Sequence, residues 1–235
     1  MKTRSLWLLW TAALGFFIAL VLYPVSNRAT RVGSALLLLV IWAGLMALLW
    51  KQRWVRFGLF AVAALSAAFL ILPARNRDSD ALRRDYVTGL QHYEGTKYVW
   101  GGESPRGIDC SGLIRRGLID SMFCQGIRSF DGGLVRTALS LWWNDCSAKA
   151  LGEQHDNLTE HLLDVPSINA LDHSKLLAGD IAVTSDGQHV MAYLGDNRWI
   201  EADPNAGRVI TVSVPSSDNH WFRVSMKIMR WKIFE

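Results

Sequence analysis

The sequence predicts an α+β domain carried behind three membrane-spanning helices. Three observations predict it: a first third that is apolar and free of acidic residues, apolar positions at helical spacing from Asp80 to Leu151, and a change to a spacing of two from Gly179 onward. The chain has 235 residues, 50% hydrophobic and 20% charged, and all 21 Asp and Glu lie at or after Asp78. Up to Pro73 the charge is +7; the remainder holds 18 basic against 21 acidic residues, and the two parts sum to the net +4. The basic excess therefore sits in the apolar part, and a nucleic-acid partner loses its main support. Disorder is excluded by the hydrophobicity, and a disulfide-built mini-protein by a count of three Cys.

Residues 1–74 read as a membrane region with apolar runs at Leu6–Pro24, Ser34–Trp50 and Val55–Pro73. A bilayer core of about 30 Å asks for about 20 helical residues, with a minimum near 17. Trp7, Trp10, Trp50 and Trp54 stand near the ends of the runs, where indole rings favour the interface. A cleaved signal peptide over Met1–Tyr23 is disfavoured, because the run is long and no small-x-small site follows it. Three spans put the chain ends on opposite sides of the bilayer. Lys2, Arg4, Lys51, Arg53 and Arg56 would then face Arg28, Arg31, Arg75, Arg77, Arg83 and Arg84, a balance that leaves orientation open. No acid or paired charge lies within the runs, so an anchor is favoured over a transporter.

Residues 75–235 read as one domain, long enough to bury its own core. Asp80 is expected to cap a helix through Leu82, Tyr86, Leu90 and Tyr93, and Asp109 to cap one starting at Cys110 and ending near Gly126. Leu134–Leu151 reads as a single amphipathic helix stopped by Gly152, and Gln154–Lys175 as polar and irregular. Short strands follow at Ile181–Thr184, His189–Leu194, Arg198–Asp203, Arg208–Val214 and Trp221–Ile228, joined by turn sequences into an antiparallel meander.

Chemistry is expected at Cys110. A thiol in the first turn of a helix meets unpaired N–H groups and the positive end of the helix dipole, which favour the thiolate. Cys124 and Cys146, read as late or mid-helix, lack that setting and are expected to be packing thiols, or one disulfide if the domain is exported. The nucleophile needs a base. Of six histidines only His189 opens a strand directly after a tight Asp-Gly turn. If the next hairpin uses the three-residue loop Gly195-Asp196-Asn197, Leu194 faces Arg198, Met191 faces Glu201 and His189 faces Asp203. Glu201 then lies one diagonal step from the imidazole and is the expected orienter, with Asp203 as the alternative. The cysteine spacings hold no Cys-x-x-Cys or His-x-x-x-His pair, so no metal is expected.

Tyr98-Val-Trp-Gly-Gly, Asp109-Cys110-Ser111-Gly112, Gly179-Asp180-Ile-Ala-Val, His189-Val-Met-Ala-Tyr-Leu-Gly and Trp199-Ile-Glu201-Ala-Asp203 together resemble the NlpC/P60 family of papain-like cysteine peptidases. The resemblance runs from about Asp80 to Ile228 and is looser over Gly126–Lys175. It implies a papain-like NlpC/P60 fold, no cofactor, and hydrolysis of peptide bonds in peptidoglycan stem peptides. Cys110 matches the nucleophile and His189 the base; the third polar residue, most often His in the family, falls on Glu201. Tyr98 matches a tyrosine near the oxyanion site. Asp109 and Ser111 match residues that hold a substrate's free ammonium end, while Asp109 alone reads equally as a helix cap. The resemblance also implies a bacterial cytoplasmic membrane, multi-pass, with the catalytic domain on the outer face. Two other functions fit the same residues: an acyltransferase or amidase using the Cys–His pair, and a non-catalytic wall-binding scaffold.

Overall fold

The computed structural model of the chain describes residues 2–235. It opens with helices α1 (Lys2–Leu22), α2 (Arg28–Leu48) and α3 (Arg53–Ile71), each long and apolar enough to cross a membrane, with mean hydropathies of 2.2, 2.0 and 2.0. α2 begins ahead of its apolar run because Asn27 and Thr30 close a capping box. The Thr30 N–H donates to Asn27 Oδ1 at 3.0 Å, and the Asn27 N–H to Thr30 Oγ1 at 2.9 Å. α1 and α2 pack closely enough for Trp10 Nε1–H to donate to the Ile41 carbonyl at 2.9 Å.

The rest of the chain is α+β. Helix α4 (Ser79–Gln91) is followed by the two-residue strands β1 (Glu103–Ser104) and β2 (Gly107–Ile108). Then come α5 (Cys110–Ser129), α6 (Gly132–Trp143) and α7 (Ala148–Gly152), and strands β3 (Thr159–Val165), β4 (Ile181–Thr184), β5 (Val190–Gly195), β6 (Arg198–Asp203), β7 (Arg208–Ser213) and β8 (Met226–Trp231). The last six strands form one antiparallel sheet in the order β3-β8-β4-β5-β6-β7. The meander β4 to β7 is as expected; the final strand returns to the outside of β4, and β3 adds beyond it.

Both faces of the sheet are covered. On one side Ile181, Val183, Ala192, Ile200 and Met229 meet Leu82, Tyr86, Leu113, Leu118, Ala138 and Leu151 from the helices. On the other, Ala182, Met191, Tyr193 and Trp199 meet Ile168, Leu171, Leu176 and Phe222. Alternate residues of one strand thus enter two cores, and the central strands read as nearly continuous apolar runs.

Several elements depart from the sequence reading. Asp78, not Asp80, caps α4, its carboxylate accepting from the Ala81 N–H at 3.0 Å. The expected Leu134–Leu151 helix breaks into α6 and α7. Asn144 ends α6 in an extended conformation and Ser147 caps α7, so Cys146 lies in the turn between them, not mid-helix. Ser147 Oγ accepts from the Ala150 N–H at 3.2 Å and starts a new helix, while the Asp145 carboxylate turns to Arg115, 2.7 Å away. Gln154–Lys175, expected to be irregular, contains β3, an edge strand whose pairing shifts between His161 and Leu163 and whose middle is exposed, so it shows no clean alternation. Trp221–Ile228 splits into a 3₁₀ turn at His220–Arg223 and β8.

The three apolar helices are bonded to the rest of the chain at two places. The turn after α1 runs along the segment before α5: Ser26 N–H donates to the Gly101 carbonyl at 2.8 Å, Val25 bridges Gly102, and Glu103 N–H donates to Pro24 at 3.2 Å. At the end of α3, Arg136 donates to the carbonyls of Leu70 and Leu72, and Arg75 to that of Ser129 at 2.8 Å. The α1–α2 turn and the end of α3 thus meet one body, as they must if three antiparallel spans leave it on one side.

Candidate active site

The site begins with the cap of α5. Asp109 Oδ1 accepts from the Gly112 N–H at 2.6 Å and from Ser111 Oγ at 3.1 Å, while Oδ2 accepts from the Gly101 N–H at 2.8 Å. Both oxygens are therefore occupied in fixing the turn that presents Cys110, and the cap has a clear structural task. Gly112 is required by contact: a Cβ there would lie 2.2 Å from the Gly102 carbonyl oxygen, a backbone atom that cannot move aside cheaply. Gly112→Ala is therefore expected to push the first turn of α5 away from Gly102. Slower alkylation of Cys110 and a lowered unfolding temperature would register the displacement.

His189 enters from the β4–β5 turn. Its N–H donates to Thr184 Oγ1 at 3.0 Å, its carbonyl accepts from the Thr184 N–H at 3.0 Å, and the ring is 1% exposed. Nε2 lies 2.5 Å from Glu201 Oε2, and Glu201 is fully buried. Cys110 lines the same cleft as this imidazole and is its other electrostatic partner, and with Nε2 taken by Glu201 the nitrogen left for it is Nδ1. Burial alone would push the imidazole pKa down. The hydrogen bonds to Cys110 and Glu201 and their charges outweigh it, and the pKa rises from 6.5 to about 9. Stability from the bound proton is therefore fully present below about pH 6.5 and is lost as pH rises through about 9.

The β5–β6 hairpin sets this geometry by a route different from the expected one. Its turn has two residues, Asp196 and Asn197, both at positive φ (52° and 56°), and Gly195 pairs with Arg198. Taken alone, that shorter turn would move Glu201 to the opposite face. A bulge between Tyr193 and Gly195 compensates, restoring Tyr193 opposite Trp199 and Ala192 opposite Ile200, the register in which Glu201 reaches His189.

Two residues that sequence reasoning assigned no role complete the group. Asn219 Nδ2–H donates to Glu201 Oε1, so each carboxylate oxygen has a partner, and the Trp221 indole stacks on the His189 ring at 4.2 Å and 13°. Both come from the segment that covers the Trp199 face of the sheet. Their only trace in the sequence is a turn-rich stretch ending in an aromatic residue. Asp203, the alternative orienter, is committed elsewhere: it accepts from the Asn205 and Ala206 N–H groups and, at 3.4 Å, from Trp221 Nε1. Tyr98 lies near Cys110, Asp109 and Asp203; burial and these neighbours push its phenol pKa up, so its hydroxyl stays a donor.

These residues line a cleft of about 910 Å³. Tyr98, Asp109, Cys110, Ser111, His189 and Trp221 bound the reacting end, with Arg115, Asp145 and Ser26 farther along. Cys124 is exposed and outside the cleft, Cys146 is buried with its thiol pushed up to about 11 by burial, and both are free. Among the described residues no cluster of His, Cys, Asp or Glu is arranged to hold a metal ion.

Comparison with known proteins agrees with the motifs. Residues 95–128, which include Tyr98, Asp109, Cys110 and Ser111, match the NlpC/P60 family. No curated protein matches the chain. Among solved structures it is similar to NlpC2 from Trichomonas vaginalis (19% identity, 69% of this chain and 50% of that one, TM-score 0.43) and to the P60 domain of a Mycobacterium avium subspecies paratuberculosis antigen (21%, 67% and 98%, 0.42). It is also similar to the peptidoglycan hydrolase RipB from Mycobacterium tuberculosis (20%, 65% and 66%, 0.41). The matched part spans about half the length of the Trichomonas proteins.

Proposed function

We propose that this chain, with its NlpC/P60 segment at residues 95–128, is a membrane-anchored cysteine hydrolase that cleaves peptide bonds in peptidoglycan stem peptides. The observation that carries the proposal is the buried imidazole of His189, bonded to the Glu201 carboxylate and lining the same open cleft as Cys110, its second electrostatic partner. A nucleophile, a base and a fixed orienter are the parts needed for acyl transfer.

In the proposed reaction His189, kept protonated near neutral pH by its raised pKa, holds the proton that Cys110 gives up, and sulfur attacks the scissile carbonyl carbon. The oxygen, now negative, lies near the unpaired N–H groups at the start of α5 and the Tyr98 hydroxyl, donors already in place before charge develops. The imidazolium returns its proton to the departing amine, leaving a thioester on Cys110. Water, deprotonated by His189, attacks that carbonyl, and the free acid and the thiol are regenerated. Glu201 stays ionised throughout, accepting the Nε2–H and stabilising the imidazolium. Asp109 at the cleft edge favours a substrate with a cationic amino end. A peptidoglycan substrate requires the domain at the outer face of a cytoplasmic membrane, beside the wall, and the three apolar helices are compatible with that side.

Digestion of purified muropeptides by the full chain in detergent, read by mass spectrometry, tests the assignment. New fragment pairs whose masses sum to the intact muropeptide plus one water are expected, and their absence, with Cys110 still alkylated selectively, would reject peptidoglycan as substrate. A second result concerns Glu201. Glu201→Gln removes a negative charge that raises the His189 pKa, so the alkaline limb of the kcat/KM profile should move below its wild-type position near pH 9. The rate should fall on the order of 10²-fold, since a neutral amide still accepts the Nε2–H but stabilises the imidazolium less.

A further inference from the structure

The far wall of the cleft is not made by the hydrolase domain alone. Arg31, in the first turns of α2, turns its side chain into the domain and is 2% exposed. Its Nη2 lies 2.8 Å from Glu103 Oε2 and 3.8 Å from Asp145 Oδ1, and its Nε–H donates to Ser26 Oγ at 3.0 Å. Arg115 on α5 faces the same two acids: Nη2 is 3.0 Å from Glu103 Oε1 and Nη1 is 2.7 Å from Asp145 Oδ1. The group holds two positive and two negative charges and balances only with Arg31 in place. Glu103 is 3% exposed, and a buried carboxylate deprived of a partner is costly. A plain tether has no use for such an arrangement.

Two members of this group are also cleft residues, while Arg31 and Glu103 line a second cavity that shares Ser26 with the cleft. Arg115, Asp145 and Ser26 line the cavity that contains Cys110. Glu103 directly follows Gly102, whose carbonyl accepts the Asp109 N–H at 3.1 Å. Arg31 therefore touches nothing at the reacting atoms yet fixes Ser26 directly and Arg115 and Asp145 through shared carboxylates.

We infer that Arg31 is a positioning residue and that the α1–α2 hairpin is a structural part of the substrate cleft. Its docking holds the Arg115–Asp145 wall in place, so substrate is bound where the membrane helices emerge. The inference rests on the hydrolase reading for its kinetic consequence, and on the geometry alone for its consequence for access to Cys110.

The test uses the full chain in detergent or nanodiscs, with Cys124→Ser to remove the exposed thiol. Arg31→Met, Arg31→Lys and the double variant Arg31→Met/Glu103→Gln are compared. Two thiol reagents, iodoacetamide and a bulky polyethylene glycol maleimide, report access to Cys110, resolved by peptide mass spectrometry. Arg31→Met should raise KM for stem peptide about tenfold while kcat stays within about threefold. The bulky reagent should label Cys110 about tenfold faster and iodoacetamide less than about twofold faster, the sign of a lost wall around an intact Cys–His pair. Lysine should restore most of the KM, and the double variant part of it, because the orphaned carboxylate is gone. Equal acceleration of both reagents would mean general opening, and no change in either would mean an idle contact; each overturns the inference. If the parent chain cleaves no stem peptide, the hydrolase reading fails by itself, and the ratio of labelling rates still decides whether the hairpin forms the wall.

Discussion

Cys110→Ala should abolish stem-peptide cleavage while leaving the domain folded. The loss expected for a covalent nucleophile is about 10³-fold or more in kcat, because without sulfur no thioester forms and water must attack unaided. Alanine is a good helix former and the thiol fills little volume, so α5 keeps its cap and its packing. His189→Ala should reduce turnover as severely, but for that variant the structure adds a cost. Glu201 is fully buried, and with the imidazole gone its Oε2 loses its partner while Asn219 serves only Oε1. A buried carboxylate in that state destabilises the fold by about 1–3 kcal/mol or more. The two inactive variants are thus expected to part in urea, the cysteine variant unfolding with the parent and the histidine variant earlier. Retained turnover in either would reject the mechanism. Equal stability of the two would show that Glu201 finds another partner, contrary to the geometry at Oε2.

Part of this site was legible in the sequence because it depends on local rules. An Asp before a helix start caps it, and a thiol in the next position faces the free N–H groups; Asp109 and Cys110 needed only that reasoning. The placement of Glu201 beside His189 depended on register. The expected register was reached through a two-residue turn plus a bulge, which leave the same pairing as a three-residue loop. A period-two pattern cannot tell these apart, since both preserve which side chains share a face. Asn219 and Trp221 were out of reach because they arrive from a covering segment with no periodicity, and their partners lie 18 and 32 positions away in the chain. The same holds for Arg31: counted as a charge beside a membrane span, it proves to be buried against Glu103, 72 residues on. The expected Leu134–Leu151 helix broke where Ser147 caps a new one, and β3 was missed because one edge is exposed and its ladder shifts.

Asp180→Ala should be the most destabilising single substitution outside the cleft. Asp180 is fully buried just before β4, and its carboxylate accepts two parallel hydrogen bonds from Arg230 of β8, Nε to Oδ1 and Nη2 to Oδ2, both 2.7 Å. Oδ2 also accepts from the Leu177 N–H at 2.8 Å, and Arg83 of α4 stands 3.7 Å from Oδ1. One anion thus joins the leading helix of the domain, the entry to β4 and strand β8, elements far apart in sequence. Its removal leaves two guanidinium groups facing each other with only the weaker influence of Asp80, Glu160 and Glu235 as counter-charge, and breaking one side of a buried pair costs about 3–5 kcal/mol. Asp180→Asn should cost less, because the amide oxygen still accepts from Leu177 or Arg230 while the charge is lost. Replacing both partners, as in Asp180→Leu/Arg230→Met, should recover much of the loss, since no unpaired charge then remains between them. Urea unfolding followed by tryptophan fluorescence reads this directly, Trp231 being buried in β8 next to Arg230. A double variant no more stable than Asp180→Ala would place the stabilisation in the Leu177 bond and the local turn. Recovery would place it in the ion pair, which closes the outer half of the sheet against the helices that present Cys110.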